Sequence, residues 1–335
     1  MSKLNFALIG CGAIAQKHAA LISSFGRLQA VCDTNKKKAN SFAGKYNTSK
    51  YFSIDKLFQH EKNIDVAVIC TPNALHAEHT ITALKNGCHV LCEKPMSISV
   101  LQARQMIKTA YRYKRKLIVV KQNRFNPPVA FVKQLLQKNK LGSIYSFQVN
   151  CFWSRDNNYY KNSSWRGTRK MDGGVLYTQF SHFIDLLYWY FGDIQSVKSI
   201  KKNIAHTKVS ELEDEGVALL QTNSGIIGTV NYTINAYKKN MEGSVTIFGE
   251  KGTVKIGGQY LNKLDYFELE NETMPVLPEG KPANQYGHYE GSMSNHEMVC
   301  KNLIEVIAGN NKTYVSGEEG IKSVEIIEKI YRACK

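Results

Sequence analysis

Residues 6–33 read FALIGCGAIAQKHAALISSFGRLQAVCD, and this stretch decides the class of fold. An apolar run, Phe6–Ile9, is followed at once by a glycine-rich turn, a segment with helical spacing over Ala13–Ser23, and a second apolar run at Leu28–Cys32. Short apolar runs that alternate with helices indicate β-α-β units, whose strands are buried on both faces of a parallel sheet. The stretch therefore predicts the start of a doubly wound α/β domain.

The alternation continues to about residue 122, where the pattern changes. Longer strand-like runs separated by turn residues follow, and they predict a large, mainly antiparallel sheet of meander type. One helix, Thr178–Phe191, interrupts this series, and two more close the chain. We therefore expect a Rossmann domain over residues 1–122 and an α+β domain with an open sheet over residues 123–335.

Composition limits the classes of function. Of 335 residues, 43% are hydrophobic and 21% are charged, so the chain can bury a sizeable core. No run approaches the ~20 apolar residues of a membrane-spanning helix, and two glycines interrupt the apolar segment that resembles a secretory leader. Cys32, Cys70, Cys88 and Cys92 fall in or beside predicted buried strands, which favours reduced thiols and a cytoplasmic protein with no membrane partner.

The formal net charge of +16 is compatible with more than one kind of partner. Nucleic acid, an anionic metabolite and a solvated lysine-rich surface all fit this charge. The lysines are spread along the chain, and no basic helix or arm interleaved with aromatic residues is found. This distribution argues against nucleic acid as a partner.

Residues 10–15 read GCGAIA, a G-x-G-x-x-A pattern between a strand and a helix. The first glycine permits a tight turn, the second lets the backbone approach a pyrophosphate, and the small third residue lets the helix pack on the strand. A carboxylate about 20 residues further on accepts hydrogen bonds from ribose hydroxyls, and it favours NAD, although Lys36–Lys38 leave NADP as an alternative. The residues expected to bind the cofactor here are Gly10, Gly12, Ala13, Ile14 and Asp33.

Further polar motifs follow the strands at the carboxyl edge of the predicted parallel sheet, where such folds bind ligands. They are Thr71-Pro72-Asn73 with His76, Glu93-Lys94-Pro95, and Gln122-Asn123-Arg124. An ammonium beside a bound nicotinamide can hydrogen-bond a substrate hydroxyl and stabilise alkoxide charge. Lys94 is therefore a candidate catalytic residue, and an exposed loop lysine is the structural alternative.

The helix Thr178–Phe191 carries a candidate base. Its apolar side chains share one face, whereas Thr178, His182 and Asp185 lie on the opposite face. Such a polar face suggests a cleft, where His182 could accept a proton from an alcohol. A surface histidine or a hydrogen-bonded core histidine also fits the spacing. The other histidines, among them His18 and His296, gain no role from their neighbours, and no metal-ligand spacing is found.

Residues 153–172 are rich in arginine and aromatic side chains. Arginine forks suit carboxylates and phosphates, and aromatic rings stack on bases or sugars. The segment predicts a substrate site, an oligomer-interface loop, or both. The residues concerned are Trp153, Arg155, Tyr159, Tyr160, Trp165, Arg166 and Arg169.

In this order, the motifs resemble the glucose–fructose oxidoreductase/inositol dehydrogenase (Gfo/Idh/MocA) family over nearly the whole chain. The motif Glu93-Lys94-Pro95 is the most specific of them. The runs at residues 121–128, 158–168 and 178–182 are similar to one branch, the bacterial UDP-N-acetyl-2-amino-2-deoxyglucuronate 3-dehydrogenases, which supply diacetamido-uronic acids to surface polysaccharide.

The resemblance implies that NAD⁺ takes hydride from C3 of a UDP-linked N-acetylglucosaminuronate and leaves a 3-keto sugar. It implies His182 as general base, Lys94 as the group that orients the hydroxyl, and a homo-tetramer or dimer. Many members carry an aspartate four residues before the histidine. This chain has Thr178 there, a change that the branch shares and that puts in doubt a carboxylate relay to the histidine.

The resemblance also assigns further contacts. For the cofactor they include Thr71, Asn73, His76, Glu93, Lys94, Gln122, Trp165 and Arg166. For the substrate they are Lys94, Asn123, Arg155, Tyr160, Arg166, Thr178, Gln179 and His182. The alternatives are a family dehydrogenase that acts on a free sugar or polyol, and a non-catalytic regulator that binds NAD. The presence of both Lys94 and His182 argues against the regulator.

Overall fold

The structure is a computed structural model, and it describes residues 3–287, 289–311 and 314–334. The chain forms two compact units. The first consists of Met1–Lys121 and His296–Val324, and the second of Gln122–Asn295 and Glu325–Lys335. Each unit is described separately below.

The first unit contains a six-stranded sheet in the order β3-β2-β1-β4-β5-β6, in which every pair is parallel. Helices connect the strands, so the predicted doubly wound parallel sheet is confirmed. The strands are β1 Asn5–Ile9, β2 Arg27–Cys32, β3 Ser49–Tyr51, β4 Val66–Ile69, β5 His89–Cys92 and β6 Leu117–Val119. The helices are α1 Ala13–Phe25, α2 Lys36–Tyr46, α3 Ile54–His60, α4 His76–Lys85 and α5 Val100–Arg112, with a 3₁₀ turn at Asn73–Leu75.

The core of this unit explains why residues from the end of the chain belong to it. Leu8, Val31, Val68 and Leu91 of the sheet form one buried cluster. Helix α10, defined below, adds Val299, Cys300, Leu303 and Val306 to the same cluster. Residues 296–324 therefore belong to the first unit in space, and the predicted division into domains over residues 1–122 and 123–335 stays a prediction.

The second unit contains a seven-stranded sheet in the order β13-β12-β11-β7-β10-β9-β8. Among the described residues β7 and β10 are its one parallel pair, so the mainly antiparallel sheet is confirmed. The meander prediction is wrong, because β7 lies between β10 and β11. The strands are β7 Ile144–Phe152, β8 Ile194–Lys202, β9 Glu215–Thr222, β10 Ile227–Thr233, β11 Glu242–Gly249, β12 Gly252–Gly257 and β13 Lys263–Leu269, with a separate hairpin of β14 Ala283–Gln285 and β15 Glu290–Met293.

Several helices complete the chain. They are α6 Pro127–Gln137, α7 Asn157–Lys161, α8 Val175–Thr178, α9 Ser181–Phe191, α10 His296–Ile307 and α11 Gly317–Ala333, with a 3₁₀ turn at Gln122–Phe125. The predicted helix Thr178–Phe191 is wrong at its start. Thr178 ends α8, and α9 begins at Ser181 after a break at Gln179 and Phe180. Thr178 therefore does not share a helical face with His182.

The state of the cysteines agrees with the prediction of reduced thiols in or beside buried strands. The eight cysteines are free, and Cys32, Cys70, Cys88 and Cys92 are buried as predicted. In the described part of the chain, no helix combines the length and the apolar character needed to span a bilayer.

Candidate active site

The glycine-rich turn of the first unit has the geometry of a phosphate cradle. Gly10 has φ +93°, and its N–H donates to the Cys32 carbonyl over 2.8 Å. A Cβ at Gly10 would lie 2.7 Å from the Cys70 carbonyl carbon, so only glycine fits. A Cβ at Gly12, the N-cap of α1, would meet nothing within 4 Å. The N-terminus of α1, where Ala13 and Ile14 begin the helix, is therefore open to an anion.

Asp33 lies beside this turn at the end of β2. Its carboxylate accepts the Cys11 N–H at 2.8 Å and the Asn35 N–H at 2.7 Å. These bonds fix the carboxylate next to the glycines, in the arrangement that recognises a ribose beside a pyrophosphate. The turn, the open helix terminus and the carboxylate together fit NAD.

The loops after β4 and β5 are joined by one histidine. His76 is buried, and its Nδ1 lies 2.6 Å from the Pro95 carbonyl oxygen and its Nε2 2.8 Å from that of Thr71. Burial lowers the pKa of the His76 ring. Both ring nitrogens thus lie within hydrogen-bond distance of a backbone carbonyl, and a neutral His76 ring donates to one of the two. Its predicted contact with the cofactor stays a prediction, as do those of Thr71 and Asn73.

Lys94 is half-buried and follows a buried carboxylate. Its backbone N–H donates to Glu93 Oε2 at 3.1 Å. Glu93 Oε1 lies 2.7 Å from His18 Nε2 and 3.5 Å from His296 Nε2. No local sequence motif indicates this cluster, because the two histidines lie far from Glu93 along the chain.

In the second unit, His182 lies in the first turn of α9 and is 3% exposed. Its Nε2 is 3.2 Å from Ser292 Oγ and 3.4 Å from Gln122 Nε2, and Gln122 Nε2 donates to Ser292 Oγ at 2.9 Å. Ser292 lies on β15, 110 residues from His182, and sequence reasoning missed it. The predicted residues Gln122 and His182 are thus brought together.

A buried ion pair connects the two elements that carry these residues. The Arg124 guanidinium, in the same 3₁₀ turn as Gln122, donates to both carboxylate oxygens of Asp185 at 2.8 and 2.9 Å. Asp185 lies three residues after His182 on α9. A bidentate pair of this kind fixes orientation as well as distance, so it holds the Gln122 turn against the helix of His182.

Thr178 interacts with a carboxyl group that the sequence did not single out. The Thr178 hydroxyl donates to Asp172 Oδ1, and the Gly167 N–H donates to Asp172 Oδ2 at 2.8 Å. Burial raises the pKa of the Asp172 carboxyl to about 6. A carboxyl group is therefore present beside Thr178, although it comes from ten residues before His182 rather than from four.

The predicted arginine-aromatic segment forms a packed cluster. The Arg166 guanidinium lies 4.2 Å from the centre of the Tyr159 ring and donates to the Tyr289 hydroxyl at 2.8 Å. Arg155 is buried and donates to Asn240 Oδ1 and to the Glu290 carbonyl. Its Nε is buried and has no hydrogen-bond partner within the described residues, and its predicted contact with the substrate stays a prediction. Tyr160 is buried against His206, and Trp165 lies beside Arg166.

Several buried polar atoms of the second unit lack a hydrogen-bond partner within the described residues. Both amide atoms of Asn123 are among them, and Asn123 and Gln179 were predicted to bind substrate. An unpaired buried amide costs about 1–3 kcal/mol, so each of these atoms calls for a partner such as water or a bound ligand. The atoms are Gln122 Oε1, Asn123 Oδ1 and Nδ2, Gln179 Oε1, Ser181 Oγ and Arg166 Nε.

The chain belongs to the Gfo/Idh/MocA oxidoreductase family. Residues 4–121 match its "Oxidoreductase family, NAD-binding Rossmann fold" and residues 133–335 its "Oxidoreductase family, C-terminal alpha/beta domain". The predicted family, the NAD cofactor and the class of dehydrogenase are thereby confirmed.

Two solved structures and one further relative are similar to this chain over nearly its whole length. The WlbA dehydrogenase of Bordetella pertussis, in complex with NADH and UDP-GlcNAcA, is 32% identical, with 99% of this chain and 96% of that chain covered and a TM-score of 0.88. The WlbA dehydrogenase of Chromobacterium violaceum, with the same ligands, is 31% identical over 99% and 94% of the two chains, with a TM-score of 0.89. Glucose-6-phosphate 3-dehydrogenase of Bacillus subtilis is 27% identical, covering 97% of this chain and 94% of its own.

Proposed function

We propose that this protein oxidises the C3 hydroxyl of a UDP-linked N-acetylglucosaminuronate to a 3-keto sugar with NAD⁺, in the cytoplasm, for the synthesis of surface polysaccharide. The observation that carries the proposal is the similarity of 31–32% over 99% of the chain to two dehydrogenases crystallised with NADH and UDP-GlcNAcA. The free, mostly buried thiols support the location.

The second unit offers suitable partners for such a ligand. A UDP-linked uronate carries about three negative charges, which the net charge of +16 attracts. It also carries an amide, hydroxyls and a carboxylate, which can pair with Asn123, Gln179 and Arg166. In each of these three residues at least one buried polar atom lacks a partner within the described chain.

The proposed chemistry divides between two side chains. His182 accepts the hydroxyl proton as the C–O bond gains double-bond character, and Lys94 donates a hydrogen bond that stabilises the developing alkoxide. Bound NAD⁺ supplies the hydride acceptor. Arg124 and Asp185 keep the Gln122 turn and the His182 helix together while this happens. Lys94 and His182 lie in different units, and their action on one alcohol is part of the proposal.

The test is a single-turnover reaction with enzyme in excess over UDP-GlcNAcA and with NAD⁺ present, followed by NADH absorbance whether the NADH is bound or free. We expect one NADH for each sugar, and a rate reduced by about 10²- to 10⁴-fold in Lys94→Ala, with NAD⁺ binding retained. Binding of NAD⁺ with no oxidation of any sugar would support a regulator. An unchanged rate in Lys94→Ala would remove Lys94 from the chemistry.

A second candidate is oxidation of the same position in a sugar that carries no nucleotide. The glucose-6-phosphate 3-dehydrogenase of Bacillus subtilis, which matches nearly the whole chain, favours it. Side-by-side assays with UDP-GlcNAcA, glucose 6-phosphate and a free polyol decide between the two. A higher kcat/KM for glucose 6-phosphate than for UDP-GlcNAcA would identify glucose 6-phosphate, rather than the sugar nucleotide, as the substrate.

We propose further that the protein is a homo-tetramer or a dimer assembled through the open sheet of the second unit. Four apolar side chains on neighbouring strands of this sheet are exposed. Ile200 of β8 pairs with Val217 of β9, and Leu219 and Ile227 lie beside them on the same face. Contiguous apolar side chains of this kind mark interaction surfaces.

A further inference from the structure

Three buried ionisable side chains of the first unit meet beside Lys94. They are His18 of α1, Glu93 of the loop after β5, and His296 at the start of α10, with exposed fractions of 0%, 4% and 1%. Each comes from a different element, and the proposed chemistry assigns no part to any of them. Burying titratable groups is costly unless they are paired, so the cluster calls for an explanation.

The charges of the cluster compensate one another. Burial alone would lower the pKa of the His18 ring, but interactions with Cys300 and Glu93 raise it to about 9. Although burial opposes ionisation of Glu93, the two histidines hold the pKa of its carboxyl well below the usual range. Burial lowers the pKa of His296. Near neutral pH the cluster is therefore one imidazolium, one carboxylate and one neutral ring.

The distances favour a shared proton over a metal ion. Two histidines and a carboxylate are a possible ligand set, and their donor atoms lie within 4.8 Å of one another. Two ligands of one tetrahedral zinc ion, however, lie about 3.3 Å apart when each bond is about 2.1 Å. His18 Nε2 and Glu93 Oε1 are 2.7 Å apart, which is the length of a charge-assisted hydrogen bond.

The second carboxylate oxygen of Glu93 accepts a hydrogen bond from the backbone of the loop that carries Lys94. Glu93 Oε2 accepts the Lys94 N–H at 3.1 Å, while Oε1 is hydrogen-bonded to His18 Nε2 at 2.7 Å and lies 3.5 Å from His296 Nε2. On the other side of Lys94, the Pro95 carbonyl is bound by His76 Nδ1 at 2.6 Å. The backbone on both sides of Lys94 is thus fixed by buried side chains.

We propose that His18 and His296 are positioning residues, which act through the Glu93 carboxylate to hold the backbone of Lys94 where its ammonium can meet the substrate hydroxyl. This inference rests on the proposed role of Lys94. His18 stands on the helix whose N-terminus receives the pyrophosphate, so the cluster also connects the cofactor helix to the catalytic loop.

The expected effect is on the chemical step. A displacement of about 1 Å at a reacting group can lower the rate about 100-fold. We expect a loss of that order in Glu93→Gln, because the amide keeps the size of the side chain but lacks the charge that binds His18. His18→Gln should act in the same direction, and His296→Gln less, because its Nε2 lies further away at 3.5 Å. Affinity for NAD⁺ should change by less than about 3-fold.

The decisive experiment is a double-mutant cycle on the full-length protein with NAD⁺ and UDP-GlcNAcA under single-turnover conditions. Glu93→Gln is measured alone and in the Lys94→Ala background, with rates expressed per NAD⁺-binding site. If Glu93 acts through Lys94, its substitution slows wild type about 100-fold and Lys94→Ala by less than about 2-fold. Equal factors in both backgrounds would overturn the inference, and an unchanged rate in Lys94→Ala alone would instead overturn the proposed function.

Controls separate positioning from folding. Glu78→Gln on α4 removes an exposed carboxylate of the same unit, and His60→Gln removes an exposed histidine; both should leave the rate unchanged. A C3-deuterated substrate gives a further readout. Poor positioning lowers the rate with a full isotope effect, whereas partial unfolding lowers only the number of NAD⁺-binding sites. If Glu93→Gln does not fold, His296→Gln is put through the same cycle, with a smaller expected factor.

Discussion

The ring of His182 is held by groups that fix which nitrogen can act. An amide nitrogen has no lone pair to offer, so the approach of Gln122 Nε2 to 3.4 Å makes His182 Nε2 the acceptor. Ser292 Oγ, at 3.2 Å, then donates to the same nitrogen. In neutral His182 the proton is thus assigned to Nδ1, and Nε2 carries the lone pair that a base needs.

This geometry predicts unequal effects of two substitutions. His182→Asn removes the proposed base, and we expect turnover to fall by about 10²- to 10⁴-fold. Ser292→Ala removes a hydrogen bond worth about 1 kcal/mol but leaves the base, so turnover should change by less than about 10-fold. Single-turnover rates with matched NAD⁺ occupancy measure both. An equal loss in the two variants would contradict the assignment of Ser292 as a supporting group.

A second prediction at this scale concerns His18 and stability. Its pKa is raised from 6.5 to about 9 in the folded protein, so its contribution is complete below pH 6.5 and is lost as the pH rises through 9. The free energy of unfolding should therefore fall by roughly 3 kcal/mol more in wild type than in His18→Gln over this range. Urea denaturation across the pH series measures the difference. A difference that does not vary with pH would contradict the buried His18–Glu93 pair. In Glu93→Gln, the dependence of this difference on pH should become weaker.

At the scale of elements, the turn between β1 and α1 needs its two glycines for different reasons. Gly10→Ala would put a Cβ 2.7 Å from the Cys70 backbone at φ +93°, and should destabilise the fold by at least about 2 kcal/mol. Gly12→Ala meets open space, so the fold should persist while NAD⁺ affinity falls at least about tenfold. Thermal denaturation and NADH titration separate the two. Intact NAD⁺ binding in Gly12→Ala would contradict the phosphate cradle.

The elements that sequence predicts best are those with a strong local pattern. Helices such as α2, Lys36–Tyr46, and α11, Gly317–Ala333, can be predicted from sequence because each has one apolar face and clear boundaries. The break before Ser181 was missed, since the helical pattern of apolar residues continues across it. The position of β7 between β10 and β11 was missed as well, because pairing partners far apart in the chain leave no local signal.

The candidate site shows the same limit of prediction from sequence, which is that contacts between residues far apart in the chain leave no local signal. Gly10, Asp33, Lys94 and His182 belong to motifs and could be selected from the sequence alone. Ser292, His18 and His296 could not, because their contacts join residues 75 to 203 positions apart. The role of Asp172 was missed for a different reason. Many family members carry an aspartate four residues before the histidine, whereas this chain has Thr178 there, and the Thr178 hydroxyl donates to Asp172.

At the scale of the whole molecule, assembly can be tested on the apolar face of the second unit's sheet. Leu219 and Val217 are 54% and 48% exposed, and a charge there would have to be desolvated in an interface. We expect Leu219→Glu to convert the oligomer to a smaller species, measured as molar mass by light scattering, with NAD⁺ binding retained because the cofactor turn lies in the first unit. Leu101→Glu, at an equally exposed leucine on α5, should leave the mass unchanged. An oligomer that survives Leu219→Glu, and also Val217→Lys, would exclude this face as the interface.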